Sequence, residues 1–128
     1  MGYTGKILVM DDEAALRQLL KRILNHFGCD VELASNGDEA VEAYMNAFES
    51  DAPFDIVIVD LVVSEGMGGI ETVEQIRKFD KNVKVIVASG HLSETMLDEL
   101  KSEGFNGSLP KPFKMDELEA VLTKVLNS

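Results

Sequence analysis

Short segments rich in Ile and Val alternate along the whole chain with segments whose apolar residues recur every three or four positions. The nearly continuous apolar runs lie at residues 6–10, 55–59 and 83–88. Such runs are typical of strands that helices cover on both faces of a parallel sheet. Apolar and polar residues alternate around Val31 and Leu33, and residues 107–109 form a weaker candidate, so these two segments are predicted to be edge strands.

The segments between these runs have helical periodicity, beginning at about residue 13. The apolar positions of the five stripes are Leu16, Leu19, Leu20, Ile23, Leu24 and Phe27; Ala40, Val41, Tyr44 and Phe48; Ile70, Val73 and Ile76; Met96, Leu97 and Leu100; and Leu118, Val121, Leu122 and Val125. Asn36 and Ser93 are candidate N-caps, and Gly28 and Gly104 are candidate helix ends. Five strand–helix units in strict alternation predict an α/β fold with a doubly wound parallel sheet and helices on both faces.

Composition restricts the classes of function. The 128 residues, of which 45% are apolar, fit one domain over residues 1–128 with a core at about 5–126. A formal net charge of -11 would repel nucleic acid phosphates and anionic lipids, so direct binding to nucleic acid or membranes is not expected. No apolar run approaches the roughly 20 residues that a membrane-spanning helix requires. A single cysteine, Cys29, suits a cytoplasmic protein because it cannot form an internal disulfide.

Polar residues follow four of the predicted strands. Asp11 and Asp12 follow the first strand, Asp60 the third, and Ser89-Gly90 the fourth, while Lys111-Pro112 stands in the loop after the fifth; an Asp in such a place is by itself more often a helix cap or turn residue. In a doubly wound sheet, however, ligands bind outside the carboxyl ends of the strands. Together, these side chains therefore predict one site.

The residue types at this site indicate phosphoryl transfer. Asp11, Asp12 and Asp60 would meet without enough positive charge nearby, so the site should bind a cation, and Mg²⁺ is the hard ion that fits carboxylate oxygens best. Lys111 and Ser89 would contact the equatorial oxygens of a transferred phosphoryl group. Asp60 is the expected acceptor because the strand that it ends holds it in place, and a carboxylate nucleophile forms an acyl phosphate.

The segments ILVMDDE, DIVIVDLVVSEGMGG, VIVASG and LPKPF resemble, in this order and spacing, the motifs of response-regulator receiver domains over nearly the whole chain. The resemblance implies a flavodoxin-like fold with five (βα) units and strand order 2-1-3-4-5. It also implies that Asp60 is the phosphoacceptor, that Asp12 is a direct metal ligand, and that Asp11 acts largely through water. Val62 would supply a backbone carbonyl to the metal.

The same resemblance makes Ser89 the hydroxyl switch residue, places Gly90 beside it at the binding site, and assigns Lys111 to the phosphoryl group. The bond between Lys111 and Pro112 is often cis in such domains. This chain departs from the family at two positions. Ser64 stands where many relatives have proline, in a glycine-containing loop expected to be mobile. Ser108 stands where many carry an aromatic residue, so the usual hydroxyl–aromatic coupling is doubtful here.

The expected function is that of a switch, not of an enzyme with a separate substrate. A histidine kinase or a histidine phosphotransfer protein would be the donor, and a downstream protein would read a surface that analogy places on the last two helices and the last strand. The chain would be a monomer or weak dimer, either free-standing or excised from a hybrid sensor kinase, with no room for an output domain. Two alternatives are an aspartyl-phosphate phosphatase of the haloacid dehalogenase type and a receiver-like module that no longer accepts phosphate. The first would need a second Asp two residues after Asp60, where Val62 stands.

Overall fold

The computed structural model describes residues 5–61, 67–90 and 93–127. The strands are β1 (Lys6–Met10), β2 (Asp30–Ala34), β3 (Ile56–Asp60), β4 (Val85–Ser89) and β5 (Gly107–Pro110). The helices are α1 (Ala14–His26), α2 (Gly37–Glu49), α3 (Gly69–Arg77), α4 (Glu94–Ser102) and α5 (Met115–Leu126). All strand pairs are parallel and their order is β2-β1-β3-β4-β5. The predicted flavodoxin-like, doubly wound α/β fold is confirmed.

Two apolar layers, one on each face of the sheet, form the core. On one face Leu8, Val57 and Val87 pack with residues of α2, α3 and α4, and on the other Ile58 and Ile86 pack with residues of α1 and α5. The three central strands are therefore buried on both sides, as their continuous apolar runs predict. Edge strand β2 alternates between exposed and partly buried residues. Among the described residues, no helix combines the length and the apolar character needed to cross a membrane.

Local chemistry ends the helices where the sequence indicates. Gly28 and Gly104 follow α1 and α4 with φ of 98° and 90°, a backbone conformation that a Cβ disfavours. At the other ends, the side chains of Asn36 and Ser93 each accept a hydrogen bond from a backbone N–H in the first turn of α2 and α4. These four predictions are confirmed.

The predicted apolar stripes are wider than the faces that the helices bury. Leu19, Phe48, Ile70 and Met96 belong to the predicted stripes, yet each is more than one-third exposed. The helical period marks the apolar side of a helix but does not determine how far the sheet covers it. The Phe48 ring is partly covered by an edge contact with Phe79, at 6.0 Å between ring centroids.

Cys29 lies in the core at 4% exposure, and desolvation by burial raises the pKa of its thiol above the ordinary value of 9.0. Because the thiolate is the reactive form, a buried thiol with a raised pKa is a poor nucleophile. We expect the native protein to react with a thiol-specific disulfide reagent at pH 8 only as fast as it unfolds, and to react at once in concentrated urea. Rapid, stoichiometric reaction of the folded protein would contradict this packing.

Candidate functional site

Three carboxylates meet at the carboxyl edge of the sheet. Asp60 is the last residue of β3, and Asp11 follows β1, its neighbour in the sheet. Asp11, Asp12 and Asp60 each place a carboxylate oxygen within 4.8 Å of the others. Asp11 and Asp60 are buried, at 1% and 7% exposure, whereas Asp12 is half-buried. The structure thus brings together the acidic residues that the sequence predicts to form a metal site.

The ammonium of Lys111 joins two of these carboxylates. Its Nζ lies 2.6 Å from Asp11 Oδ2 and 3.2 Å from Asp60 Oδ2, and the side chain is 15% exposed. Burial lowers the pKa of Lys111, but the hydrogen bond and charge of Asp11, followed by the charge of Asp60, outweigh burial and raise that pKa overall. Lys111 therefore carries its positive charge at any physiological pH.

Backbone contacts hold Lys111 at this position. The Lys111 N–H donates to the carbonyl of Ser89 at 2.9 Å, which ties the end of β5 to the end of β4. The peptide bond between Lys111 and Pro112 is cis, as the resemblance implied. The ammonium is thus carried to the acidic cluster from an edge strand two positions away from β3 in the sheet.

Asp11 is held from three sides. Its Oδ1 accepts the backbone N–H of Glu13 at 2.9 Å, and its own N–H donates to the carbonyl of Ala34. The guanidinium of Arg17, one turn into α1, donates to the Asp11 carbonyl at 2.7 Å. Because Lys111 occupies Oδ2, both carboxylate oxygens of Asp11 already have a donor. Asp11 is therefore the most constrained member of the cluster.

Ser89 and Gly90 border the same edge of the sheet. Asp60 pairs in register with Ala88, so Ser89 stands one residue beyond the level of Asp60 on the adjacent strand. Ser89 is partly buried, whereas Gly90 is exposed, and a Cβ placed on Gly90 would have no atom of the described residues within 4 Å apart from its chain neighbours. Val62, Ser64 and His91 lie outside the described residues.

The donor set fits a hard divalent cation. Among the described residues, three carboxylates share the cluster with the Lys111 ammonium, so negative charge is in excess there, and the ligand atoms offered are oxygens. Mg²⁺ prefers oxygen ligands, commonly retains several waters and uses one or two carboxylates. The half-buried Asp12 borders solvent, which would let such an ion keep part of its hydration shell.

Sequence reasoning missed three residues around this site. Arg17 holds the Asp11 carbonyl, while Gly37 and Thr72 contact the segment that leads from Asp60 into α3. Nothing in the pattern marks them, because an arginine in an amphipathic helix and a threonine within another are ordinary. Gly37 follows the N-cap Asn36, which is the one local signal that a tight contact was possible there.

Comparisons with known proteins give a consistent assignment. The family model for the response regulator receiver domain matches residues 7–123. The chain is 36% identical to the chemotaxis protein CheY of Thermotoga maritima over 94% of this chain and 96% of that one. It is 31% identical to sporulation initiation phosphotransferase F of Bacillus subtilis over 94% and 93%.

A solved structure has the same architecture. The complex of CheX with CheY, BeF₃ and Mg²⁺ from Borrelia burgdorferi contains a chain that matches with a TM-score of 0.86 at 27% identity, covering 94% of this chain and 88% of that one. The family model alone spans most of the sequence, and the fold and the strand-end cluster agree with it. The chain belongs to the family of response regulator receiver domains.

Proposed function

We propose that this receiver domain takes a phosphoryl group from a phosphohistidine donor onto Asp60, with Mg²⁺ bound by the acidic cluster. The observation that carries the proposal is the position of Lys111, whose ammonium lies 3.2 Å from Asp60 Oδ2 at the carboxyl edge of the sheet. A fixed cation beside a buried carboxylate can stabilise the negative charge of a phosphoryl group that is transferred to that carboxylate. The domain would act on itself alone, without a separate substrate to turn over.

The proposed reaction uses these positions. One carboxylate oxygen of Asp60 attacks the phosphorus, the new O–P bond forms, and the P–N bond to the donor imidazole breaks. The donor ring takes a proton from solvent on the nitrogen that is not bonded to phosphorus, so it leaves as neutral imidazole with the electron pair of the broken bond, and the equatorial oxygens carry the negative charge that Lys111 faces. Bound Mg²⁺ would supply further positive charge next to those oxygens. Hydrolysis of the acyl phosphate by water then returns Asp60 to its starting state.

The roles of the neighbouring residues follow from their constraints. Asp11 has donors on both carboxylate oxygens, which supports a role through water, whereas the half-buried Asp12 suits direct ligation. Asp60 would be the third acidic ligand, and Val62 would add its backbone carbonyl. Ser89 would donate its hydroxyl to the phosphoryl group, and the exposed Gly90 would border that group.

The readout would occur on a surface around α4, β5 and α5. A cavity of about 240 Å³ lies there, lined in part by Ser108 and Val87. Ser108 on β5 pairs in register with Val87 on β4, which stands two residues before Ser89. Its apolar lining comes from Val87, Leu97, Leu100 and Phe105. Lys101 and Lys124 also line it, so a downstream protein with an apolar side chain flanked by acidic groups would fit. The small side chain of Ser108 leaves this volume open.

The relatives support this assignment of partners. The Borrelia burgdorferi CheY was solved with CheX, BeF₃ and Mg²⁺, and the Bacillus subtilis relative is named a phosphotransferase. By analogy, the donor of this chain would be a histidine kinase or a histidine phosphotransfer protein, and its target another protein. The chain would be a monomer or a weak dimer.

The proposal is tested with a small phosphodonor. The purified chain is incubated with acetyl phosphate, with and without Mg²⁺, and its intact mass is followed over time. We expect the mass of one phosphoryl group to appear only with Mg²⁺ and to be lost after the donor is removed. A chain that binds Mg²⁺ without gaining that mass would instead be a receiver-like module that no longer accepts phosphate. Turnover of a generic phosphomonoester would revive the phosphatase alternative.

A further inference from the structure

We infer that Gly37, at the start of α2, is a positioning residue for the acceptor Asp60, acting through the segment Met67–Gly69; this rests on the proposed function. Gly37 lies on a different unit of the fold from Asp60 and touches no member of the acidic cluster in the described contacts. The geometry nevertheless connects them through a short series of close backbone contacts.

The first contact joins the start of α2 to Met67, two residues before α3 begins. The Gly37 N–H donates to the Met67 carbonyl at 2.9 Å. A Cβ on Gly37 would lie 2.7 Å from that same carbonyl oxygen and 2.6 Å from Met67 Cβ, and it would also overlap the hydroxyl of Thr72. Real Cβ atoms essentially never approach neighbours so closely. Glycine is therefore required for this hydrogen bond and this spacing.

Thr72 holds the next part of the segment. This residue is fully buried, and its Oγ1 and its backbone N–H both donate to the Gly68 carbonyl, at 2.6 and 3.0 Å. A side chain on Gly37 would have to displace the Thr72 hydroxyl or Met67. Either displacement would move the first turn of α3.

The last contact reaches the acceptor itself. A Cβ on Gly69 would overlap the carbonyl oxygen of Asp60, and one on Gly68 would lie 2.9 Å from the carbonyl oxygen of Leu61. The Gly69 N–H also approaches the Leu61 carbonyl, at 3.3 Å. Residues 67–69 thus run directly against the backbone of residues 60 and 61. A shift at Gly37 would displace Asp60, because the backbone segments between them are packed too closely to move independently.

This arrangement predicts a specific effect on metal binding. Residues that orient metal ligands from outside the ligand set typically change metal affinity by 10- to 100-fold when they are mutated. We expect Gly37→Ala to weaken Mg²⁺ binding by about tenfold, measured by calorimetric titration. In the metal-free protein, the backbone amide resonances of Asp60 and Leu61 should also shift.

The matched control is Gly107→Ala. A Cβ there would lie 2.7 Å from Val121 Cγ2 and 3.1 Å from Val125 Cγ2, where α5 packs against the sheet. The two variants therefore introduce the same atom into close contacts at places remote from each other. We expect urea unfolding to show a loss of stability for both variants, while Gly107→Ala keeps the wild-type Mg²⁺ affinity and the wild-type amide resonances at Asp60.

The possible outcomes are distinct. Wild-type Mg²⁺ affinity in folded Gly37→Ala, or an equal loss in Gly107→Ala, would overturn the inference. Should Gly37→Ala not fold, Thr72→Ala and Thr72→Ser decide the matter, because serine keeps the hydroxyl that binds the Gly68 carbonyl. Weakened Mg²⁺ binding in the alanine variant alone would support the inference, and equal affinities would refute it. Failure of the wild-type chain to bind Mg²⁺ would instead reject the proposed function.

Discussion

Asp60→Asn is expected to abolish labelling by acetyl phosphate completely. The amide is nearly isosteric with the carboxylate, but it lacks the anionic oxygen that attacks phosphorus. Intact mass spectrometry of the variant should show the unmodified chain after incubation with the donor and Mg²⁺, under conditions in which the wild type is labelled. Asp11 and Asp12 are acidic and close by, but Asp11 already has donors on both carboxylate oxygens and Asp12 would be a direct metal ligand, so no substitute nucleophile is expected.

The Asp60→Asn variant should remain folded, so that loss of labelling reports on chemistry. Lys111 keeps its 2.6 Å contact with Asp11, and the new side chain carries no charge into the cluster. Asp51→Asn is the matched control, since Asp51 is exposed, lies in the loop that precedes β3 at the edge of the sheet opposite the site, and has φ of 63°, which asparagine also tolerates. The control should be labelled as fast as the wild type. Labelling of Asp60→Asn at an unchanged rate would remove Asp60 from its assigned role.

The fold was predictable from the sequence because each element carries a strong periodic signal. The runs that became β3 and β4 are apolar at successive positions, which is typical of short strands covered on both faces. Strict alternation then restricts the topology, since parallel strands need right-handed crossovers. The margins of the helices were less predictable. Leu19 and Ile70 fit a helical period, but the width of the buried face depends on how each helix sits on the sheet.

The meeting of Asp11, Asp12, Asp60 and Lys111 was predictable from the sequence, whereas the distances between them were not. Parallel strands bring their carboxyl ends to one edge, so Asp11 and Asp60 had to be neighbours once β1 and β3 were adjacent. Which oxygen the Lys111 ammonium would contact depends on rotamers and on the turn at Pro112. The roles of Arg17 and Gly37 arise from contacts between distant segments, which no local pattern records.

The second large effect is expected at Lys111. Lys111→Met keeps most of the apolar stem and removes the ammonium, which leaves Asp11 and Asp60 without the cation that lies between them. Breaking a largely buried ion pair from one side strands the remaining charge, and we expect the free energy of unfolding to fall by about 2–3 kcal/mol. The measurement is urea unfolding at pH 7 in the presence of a chelator.

Added Mg²⁺ should restore much of this loss, because a ligand that binds only the folded state stabilises it by about 2.7 kcal/mol at a hundred times its dissociation constant. The variant should gain more from Mg²⁺ than the wild type does, since a cation then relieves unscreened repulsion among three carboxylates. Lys21→Met, on the exposed side of α1, is the control and should change stability by no more than about 0.5 kcal/mol. If Lys111→Met were as stable as Lys21→Met without metal, the ammonium would not be offsetting the negative charge of the cluster. Labelling of Lys111→Met by acetyl phosphate should stay slow even at saturating Mg²⁺, because the metal restores stability without replacing the fixed ammonium beside Asp60.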